Sequence, residues 1–382
     1  MRRPLDELLL SGQEVRGGRP TLSTRFLGTK LENCRLLRED VRRRSPVFRG
    51  RPDVVMLNHH EICNLACVMC TRSVVRGEKR VGRQALELVA DRLFPTARKV
   101  GLPAAESEPL AIDFEFLIDR ALHYGTQADV VTNGTLLTLD RYRFARDAID
   151  LLDVSIDCHV PEVYRRIRVG GEYETVEKNL RAICEERQRC PDDVLFVVNA
   201  IVMRSTLPHL PDLVRVAQEL GAVALVLKQL NHDGKPTPEE DPIAHLGREA
   251  VARTYVECAR VAEDIGMNLT YADCGVVDYD PPMPHVFVRP TRLPRGALGI
   301  GPDPCWYIAQ NFHLSQTGDV LPCIRRTPHI AGNVLREDPL DIWNGSVFQD
   351  LRRAHFERRW AAACSECKLA PYLSGTQSPI AP

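Results

Sequence analysis

From residue 53 to about 275, short runs of aliphatic and β-branched residues alternate with stretches whose apolar positions recur every three to four residues. The first kind of pattern predicts strands and the second amphipathic helices. Val54 to Asn58 reads as a strand. Gln84 to Leu93 reads as a helix with Leu86, Leu88, Val89 and Leu93 as its buried stripe. A weaker strand falls near Lys99 to Leu102, just before Pro103, and Phe114 to Leu122 is a second helix. Ala128 to Thr132 is a strand stopped by the turn pair Asn133-Gly134. Leu152 to Ile156 is a strand and Val176 to Glu186 a helix. Val194 to Val202 is a long apolar run, as in a strand buried on both faces. Leu210 to Leu220 is a helix closed by Gly221, and Ala222 to Leu227 a strand. Arg248 to Ile265 is a long amphipathic helix, and Asn268 to Tyr271 a last strand. Alternation at this spacing predicts βαβ units, a parallel sheet, and a functional face at the C-terminal strand ends.

The flanks differ. Residues 1–52 are rich in arginine, with little periodicity; they predict a solvated extension, or a partner-binding arm. The strand–helix alternation fills 53–278. Across 279–304 seven prolines break any regular element, which predicts a linker. Residues 305–382 then form a compact α+β tail: Phe312 to Ser315 and Val320-Leu321 flank Thr317-Gly318-Asp319, a hairpin pattern. Asp338 to Arg352 is helical, interrupted near Asn344-Gly345.

A formal net charge of -1 argues against a nucleic-acid binder driven by global charge. No apolar run is long enough for a bilayer span, and Leu8-Leu9-Leu10 is too short for a signal-peptide core. A cytoplasmic protein with no membrane or nucleic-acid partner is expected. In such a reducing compartment thirteen cysteines point to metal ligands or reactive thiols rather than disulfides. Cys34, Cys158, Cys184, Cys190, Cys258 and Cys274 are scattered and read first as small buried hydrophobes.

The others are grouped. Cys63, Cys67 and Cys70, at C-x3-C-x2-C spacing, sit on the loop leaving the first strand. An iron–sulfur cube takes four thiolates, so three can hold three irons and leave the fourth open, much as a catalytic zinc keeps one position free. Zinc, with His59 or His60 as a fourth ligand, remains an alternative. Cys305, Cys323, Cys364 and Cys367 form the second group. Four thiolates would saturate a cluster, and a zinc ribbon is the alternative.

With these segments in order, residues 53 to 275 resemble a radical S-adenosylmethionine (SAM) enzyme. The resemblance implies a partial (β/α)6 TIM-like barrel in which Cys63, Cys67 and Cys70 hold a [4Fe–4S] cluster, with SAM on the open iron. It places Glu108-Pro109-Leu110 beside the methionine amino group, although Glu106-Ser107 stand where the family has two glycines. Thr132-Asn133-Gly134 and Ser155-Ile156-Asp157 match the next strand-end segments. Arg168 matches an arginine that pairs with the methionine carboxylate, for which its fork is suited. The implied SAM-binding residues are therefore Glu108, Thr132, Asn133, Ser155 and Arg168. The tail resembles the shortened "twitch" form of the SPASM auxiliary domain, including Gly332-Asn333-Val334 and Asp341 to Gly345. No cysteine follows Cys367, so one auxiliary [4Fe–4S] cluster on the four C-terminal thiols is implied rather than two. An electron donor such as flavodoxin or ferredoxin is implied as well.

The twitch-like pattern carries the expected reaction: a 5′-deoxyadenosyl radical abstracts hydrogen from a sugar or aminocyclitol, for dehydrogenation or epimerisation in antibiotic biosynthesis. Modification of a ribosomally made peptide is the alternative, and a non-catalytic iron–sulfur or zinc protein a weaker one. Epimerisation needs a thiol hydrogen donor, for which Cys158 and Cys274 are the candidates. Lys228, Gln229, His232 and Asp273 fall at strand ends where they could fix a small polyol.

Overall fold

Seven parallel strands lie side by side in the order in which the chain makes them. They are β1 (Val54–Leu57), β2 (Lys99–Leu102), β3 (Gln127–Thr132), β4 (Ile149–Ser155), β5 (Leu195–Val202), β6 (Ala224–Gln229) and β7 (Asn268–Ala272). The computed structural model describes residues 22–70, 79–104, 107–230, 237–272, 305–323, 329–359 and 364. On the other side of β1 lies β8 (Asn311–Leu314), also parallel, followed by β9 (Asp319–Leu321) and β10 (Gly332–Asn333), which are antiparallel. The tail thus extends the main sheet instead of standing apart: Val54 pairs with Asn311 and Leu57 with Leu314. The β8–β9 hairpin turns at Gly318, whose φ of +83° suits a residue without Cβ.

Helices connect the strands: α2 (Arg83–Leu93), α3 (Phe114–Tyr124), α4 (Leu139–Ala145), α5 (Pro161–Ile167), α6 (Tyr173–Arg189), α7 (Leu210–Glu219), α8 (Pro242–Leu246) and α9 (Arg248–Ile265). In the tail are α10 (Trp306–Gln310), α11 (Pro339–Trp343) and α12 (Ser346–Phe356). The core between helices and sheet takes alternate strand residues, including Val55, Val100, Val130, Val154, Val198 and Leu227. Residues one position away face the other side of the sheet. There the strands carry Asp129, Asp153, Ser155, Asn199 and Lys228, a polar lining. On α2 the buried stripe is Leu86, Val89, Ala90 and Leu93; Leu88 is exposed, against expectation.

The expected solvated N-terminal extension is in part a docked helix, α1 (Leu27–Arg42). Cys34 and Leu37 enter the core. Lys30 is buried and donates to the carbonyls of Phe94 and Ala97, at 2.6 and 2.5 Å, and to Thr126 Oγ1 at 3.0 Å. Its buried face is half polar (Lys30, Asn33, Asp40), so it shows no clean apolar period. The strand β4 begins three residues before the expected Leu152. Its early residue Asp150 accepts from Lys99, at 2.8 Å, and Lys99 also reaches Asp129 at 2.9 Å; this ion-paired trio hides a strand start behind charge. Among the described residues no helix is long and apolar enough to cross a membrane.

Candidate functional site

The Cys63–Cys70 loop starts from a firmly held base. Asn58 N donates to Leu314 O at 2.9 Å, tying the end of β1 to β8. His59 and His60 follow, both buried, with rings edge to face at 4.5 Å. The loop itself is laced to the segment ending α5. Ala66 N donates to Val169 O at 2.8 Å and Val68 N to Ile167 O at 2.9 Å. Close approach there depends on glycine: Gly170 has φ +91°, and a Cβ on Gly171 would lie 3.2 Å from Leu65 Cδ2. Under the loop, Met69 packs with Cys158, Ile167, Met203 and Leu230 in a small apolar cluster.

Burial pushes the Cys67 thiol up to about 11, opposed by the positive Arg168 and reinforced by Asp157, Cys70 and Cys63. The three cysteines therefore share one electrostatic neighbourhood with a buried cation beside it. Among the described residues no three His, Cys, Asp or Glu side chains already close on one point. The donor set nonetheless fits a cluster: three soft thiols lie on one backbone-anchored loop, and the adjacent cation favours the thiolate form that a metal requires.

Around this loop the strand ends are cross-linked. Glu108 is fully buried. Its carboxylate accepts from Thr132 Oγ1 at 2.6 Å, Asn133 N at 2.8 Å and Leu110 N at 3.2 Å. Burial nevertheless raises its pKa, with those bonds opposing. Glu108 N donates to Ile62 O at 2.9 Å, so the same segment ties down the entry to the cysteine loop. Asn133 Nδ2 donates to Asn64 Oδ1 at 3.0 Å and approaches Cys63 Sγ at 4.0 Å. Arg168 Nε donates to Asp157 Oδ2 at 2.7 Å, both residues buried, and Asp157 Oδ1 accepts from Ile201 N at 2.8 Å. Ser155 Oγ accepts from Asn199 Nδ2 at 3.1 Å, and Lys228 Nζ lies 3.6 Å from Asp153 Oδ2. Glu108, Thr132, Asn133 and Arg168 are thus brought to the cysteine loop, with Ser155 on the polar face of the neighbouring strand.

Other expectations land elsewhere. Cys158 has no exposed surface; its Sγ accepts from Val160 N at 3.4 Å, and burial raises its pKa. Gln229 lines a small recess with Val202 and Tyr255. Cys274, His232, Asp273 and the 279–304 segment lie outside the described residues. Asn199, Asp153 and Asn64 were not foreseen; a polar residue inside the apolar run Val194 to Val202 was the signal for Asn199.

The second thiol group gathers where α10 begins. Cys305 is buried, packs against Ile308 and Leu351, and is pushed up to about 12 by burial, with Cys323 and Cys364 adding to the shift. Three of the four thiols are therefore near neighbours; Cys367 lies outside the described residues.

One pH effect follows from the packing. Burial lowers both His59 and His313 to about 4, against about 6.5 in the unfolded chain. The unfolded state binds the extra protons between those values, so stability is lost as pH falls through that window. Cofactor-free protein should lose on the order of 2 kcal/mol per ring between pH 7 and 5, read from urea midpoints. His313→Gln should remove one share of that loss, and a pH-independent midpoint would contradict the argument.

Sequence comparison places the radical SAM superfamily on residues 57–217 and the SPASM iron-sulfur cluster-binding domain on residues 305–368. The chain therefore carries a radical SAM domain and a SPASM domain, which imply SAM, a [4Fe–4S] cluster and an auxiliary cluster as its cofactors. It is similar to an AdoMet-dependent heme synthase of Methanosarcina barkeri, 29% identical over 76% of this chain and 82% of that protein. It is similar as well to a PqqA peptide cyclase of Bradyrhizobium diazoefficiens, 26% identical over 72% and 67%. The fold matches Streptococcus suis SuiB bound to precursor peptide SuiA, with TM-score 0.57, 14% identity and coverage of 96% and 80%. It also matches anSMEcpe with bound AdoMet, with TM-score 0.52, 15% identity and coverage of 83% of each chain. Neither of these two curated relatives has a name that refers to a sugar or aminocyclitol.

Proposed function

We propose that this radical SAM enzyme modifies a polypeptide. The observation that carries the reading is its likeness to two PqqA peptide cyclases over 72% and 80% of the chain. Cys63, Cys67 and Cys70 hold the SAM-binding cluster, and Cys305, Cys323, Cys364 and Cys367 the auxiliary one. A [4Fe–4S] cluster held by the first group would supply the one-electron reduction needed to cleave SAM. The residues of the chain supply position and enclosure. Arg168 keeps a charged fork beside the cysteine loop for the methionine carboxylate. Glu108, its carboxylate already accepting three hydrogen bonds, acts by fixing Thr132 and Asn133 at the rim. Ser155 offers a hydroxyl, and Asn199, Asp153 and Lys228 give the substrate side of the sheet donors and acceptors for a polar polypeptide segment. A flavodoxin- or ferredoxin-type donor provides the electron.

The test is anaerobic reconstitution followed by reduction with dithionite and assay of 5′-deoxyadenosine. Short polypeptides encoded beside the gene, aminocyclitols and an iron tetrapyrrole are offered separately. A polypeptide alone should raise 5′-deoxyadenosine above the uncoupled rate and change in mass. Turnover only with the aminocyclitols or the tetrapyrrole would overturn the reading.

A further inference from the structure

The most unusual charge outside the SAM site is Arg352 on α12. It is 0% exposed. Its guanidinium lies over the rings of Phe48 at 4.0 Å, Trp343 at 4.2 Å and Phe348 at 5.1 Å. It donates through Nε to Ile308 O at 3.2 Å, and through Nη1 to Pro46 O at 3.2 Å and Asn344 Oδ1 at 3.1 Å. All three acceptors are neutral, and Nη2 has no partner among the described residues. The carboxylate felt at Arg352 is that of Asp40. Asp40 is itself neutralised by Arg49 Nε at 2.7 Å and accepts from the Arg49 and Gly50 amides. Burial depresses the Arg352 pKa to about 9. Aromatic faces offset part of the desolvation of a cation, yet buried charges are ordinarily paired with an opposite charge.

The arginine touches no thiol itself, but its neighbours on both helices pack on Cys305. Ile308, whose carbonyl takes Nε, is three residues beyond Cys305 on the short helix α10. Leu351, next to Arg352, packs on Cys305 and Ile308. His355, nearly one turn further along α12, accepts from Cys305 N through Nδ1 at 3.4 Å. A [4Fe–4S] cluster on four thiolates is a dianion when oxidised and gains another negative charge on reduction, and nearby charge and burial tune its potential.

We propose that Arg352 is the buried counter-cation of the auxiliary cluster and holds that cluster's reduction potential up. A fixed cation stabilises the more negative, reduced state, so the cluster becomes a better acceptor for an electron leaving the substrate. The inference rests on the auxiliary cluster alone and not on the nature of the substrate, so it survives failure of the polypeptide reading.

The test uses the full chain with Cys63, Cys67 and Cys70 changed to alanine, so that only the auxiliary cluster is loaded. Its potential is followed by EPR-monitored redox titration. At roughly 8–10 Å in a protein interior, one unit charge shifts an equilibrium constant about tenfold, equivalent to about 59 mV for one electron. Arg352→Met and Arg352→Gln should lower the potential by at least that much, and Arg352→Lys by clearly less. The same potential in all four proteins would overturn the proposal. If the neutral variants do not retain the cluster, thermal melting of the cluster-free chains decides. An uncompensated cation is costly without its anion, so Arg352→Met should then melt at or above the parent. Melting well below the parent would show a purely structural arginine and also overturn the proposal.

Discussion

Replacing any one of Cys63, Cys67 or Cys70 with alanine should abolish reductive cleavage of SAM, cutting 5′-deoxyadenosine formation by about a thousandfold or more, a barrier change of about 4 kcal/mol. The magnitude follows from where the reactivity lies: the cofactor carries the chemistry and the side chains orient it. With two thiols left, no site with three protein ligands and one open iron can form. The fold should survive the change. The loop is held by main-chain bonds from Ala66 to Val169 and from Val68 to Ile167, and none of them uses a thiol. Iron content should fall by about half, since the Cys305 group is untouched, and circular dichroism should match the parent. Cys305→Ala should do the reverse, sparing SAM cleavage without substrate while removing the auxiliary iron. Retained SAM cleavage in Cys67→Ala would remove that group from its assigned role.

Much of the scaffold was legible because its strands and helices bury whole faces. Arg248 to Ile265 has the predicted bounds, and the interruption at Asn344-Gly345 separates α11 from α12. What stayed hidden involves polar groups whose partners are distant in sequence. The strand β8 could be read as half of a local hairpin, yet its pairing with β1 joins residues more than 250 positions apart. The helix α1 escaped notice because Lys30 and Asp40 occupy its buried face, satisfied by Phe94 O and Ala97 O in one case and by Arg49 in the other. At the site, the cysteine spacing and the Glu108, Thr132 and Arg168 segments were visible as motifs. That the Glu108 carboxylate spends itself on Thr132, Asn133 and Leu110 was not, because a side chain's hydrogen bonds have no sequence period. The same holds for Asp157: it was read as the end of a strand segment, and the structure makes it the partner of Arg168.

That pair carries the second large effect. Arg168→Met removes one half of a buried ion pair and leaves the Asp157 carboxylate, at 0% exposure, with the bond from Ile201 N as its one hydrogen bond among the described residues. Breaking such a pair from one side typically costs about 3–5 kcal/mol, whereas replacing both partners is far milder. Cofactor-free Arg168→Met should therefore unfold at a much lower urea concentration, and Asp157→Asn/Arg168→Met should recover most of the loss. Affinity for SAM should not recover with it. The bond to Asp157 uses Nε, so in the proposed role the other end of the fork holds the methionine carboxylate, and neither variant offers a replacement. Equilibrium binding of SAM to the cluster-loaded proteins separates the two contributions: stability should return in the double variant while binding stays weak. A double variant that binds SAM like the parent would reduce Arg168 to a strut under the cysteine loop. The carboxylate would then have to be held by another donor at the same rim.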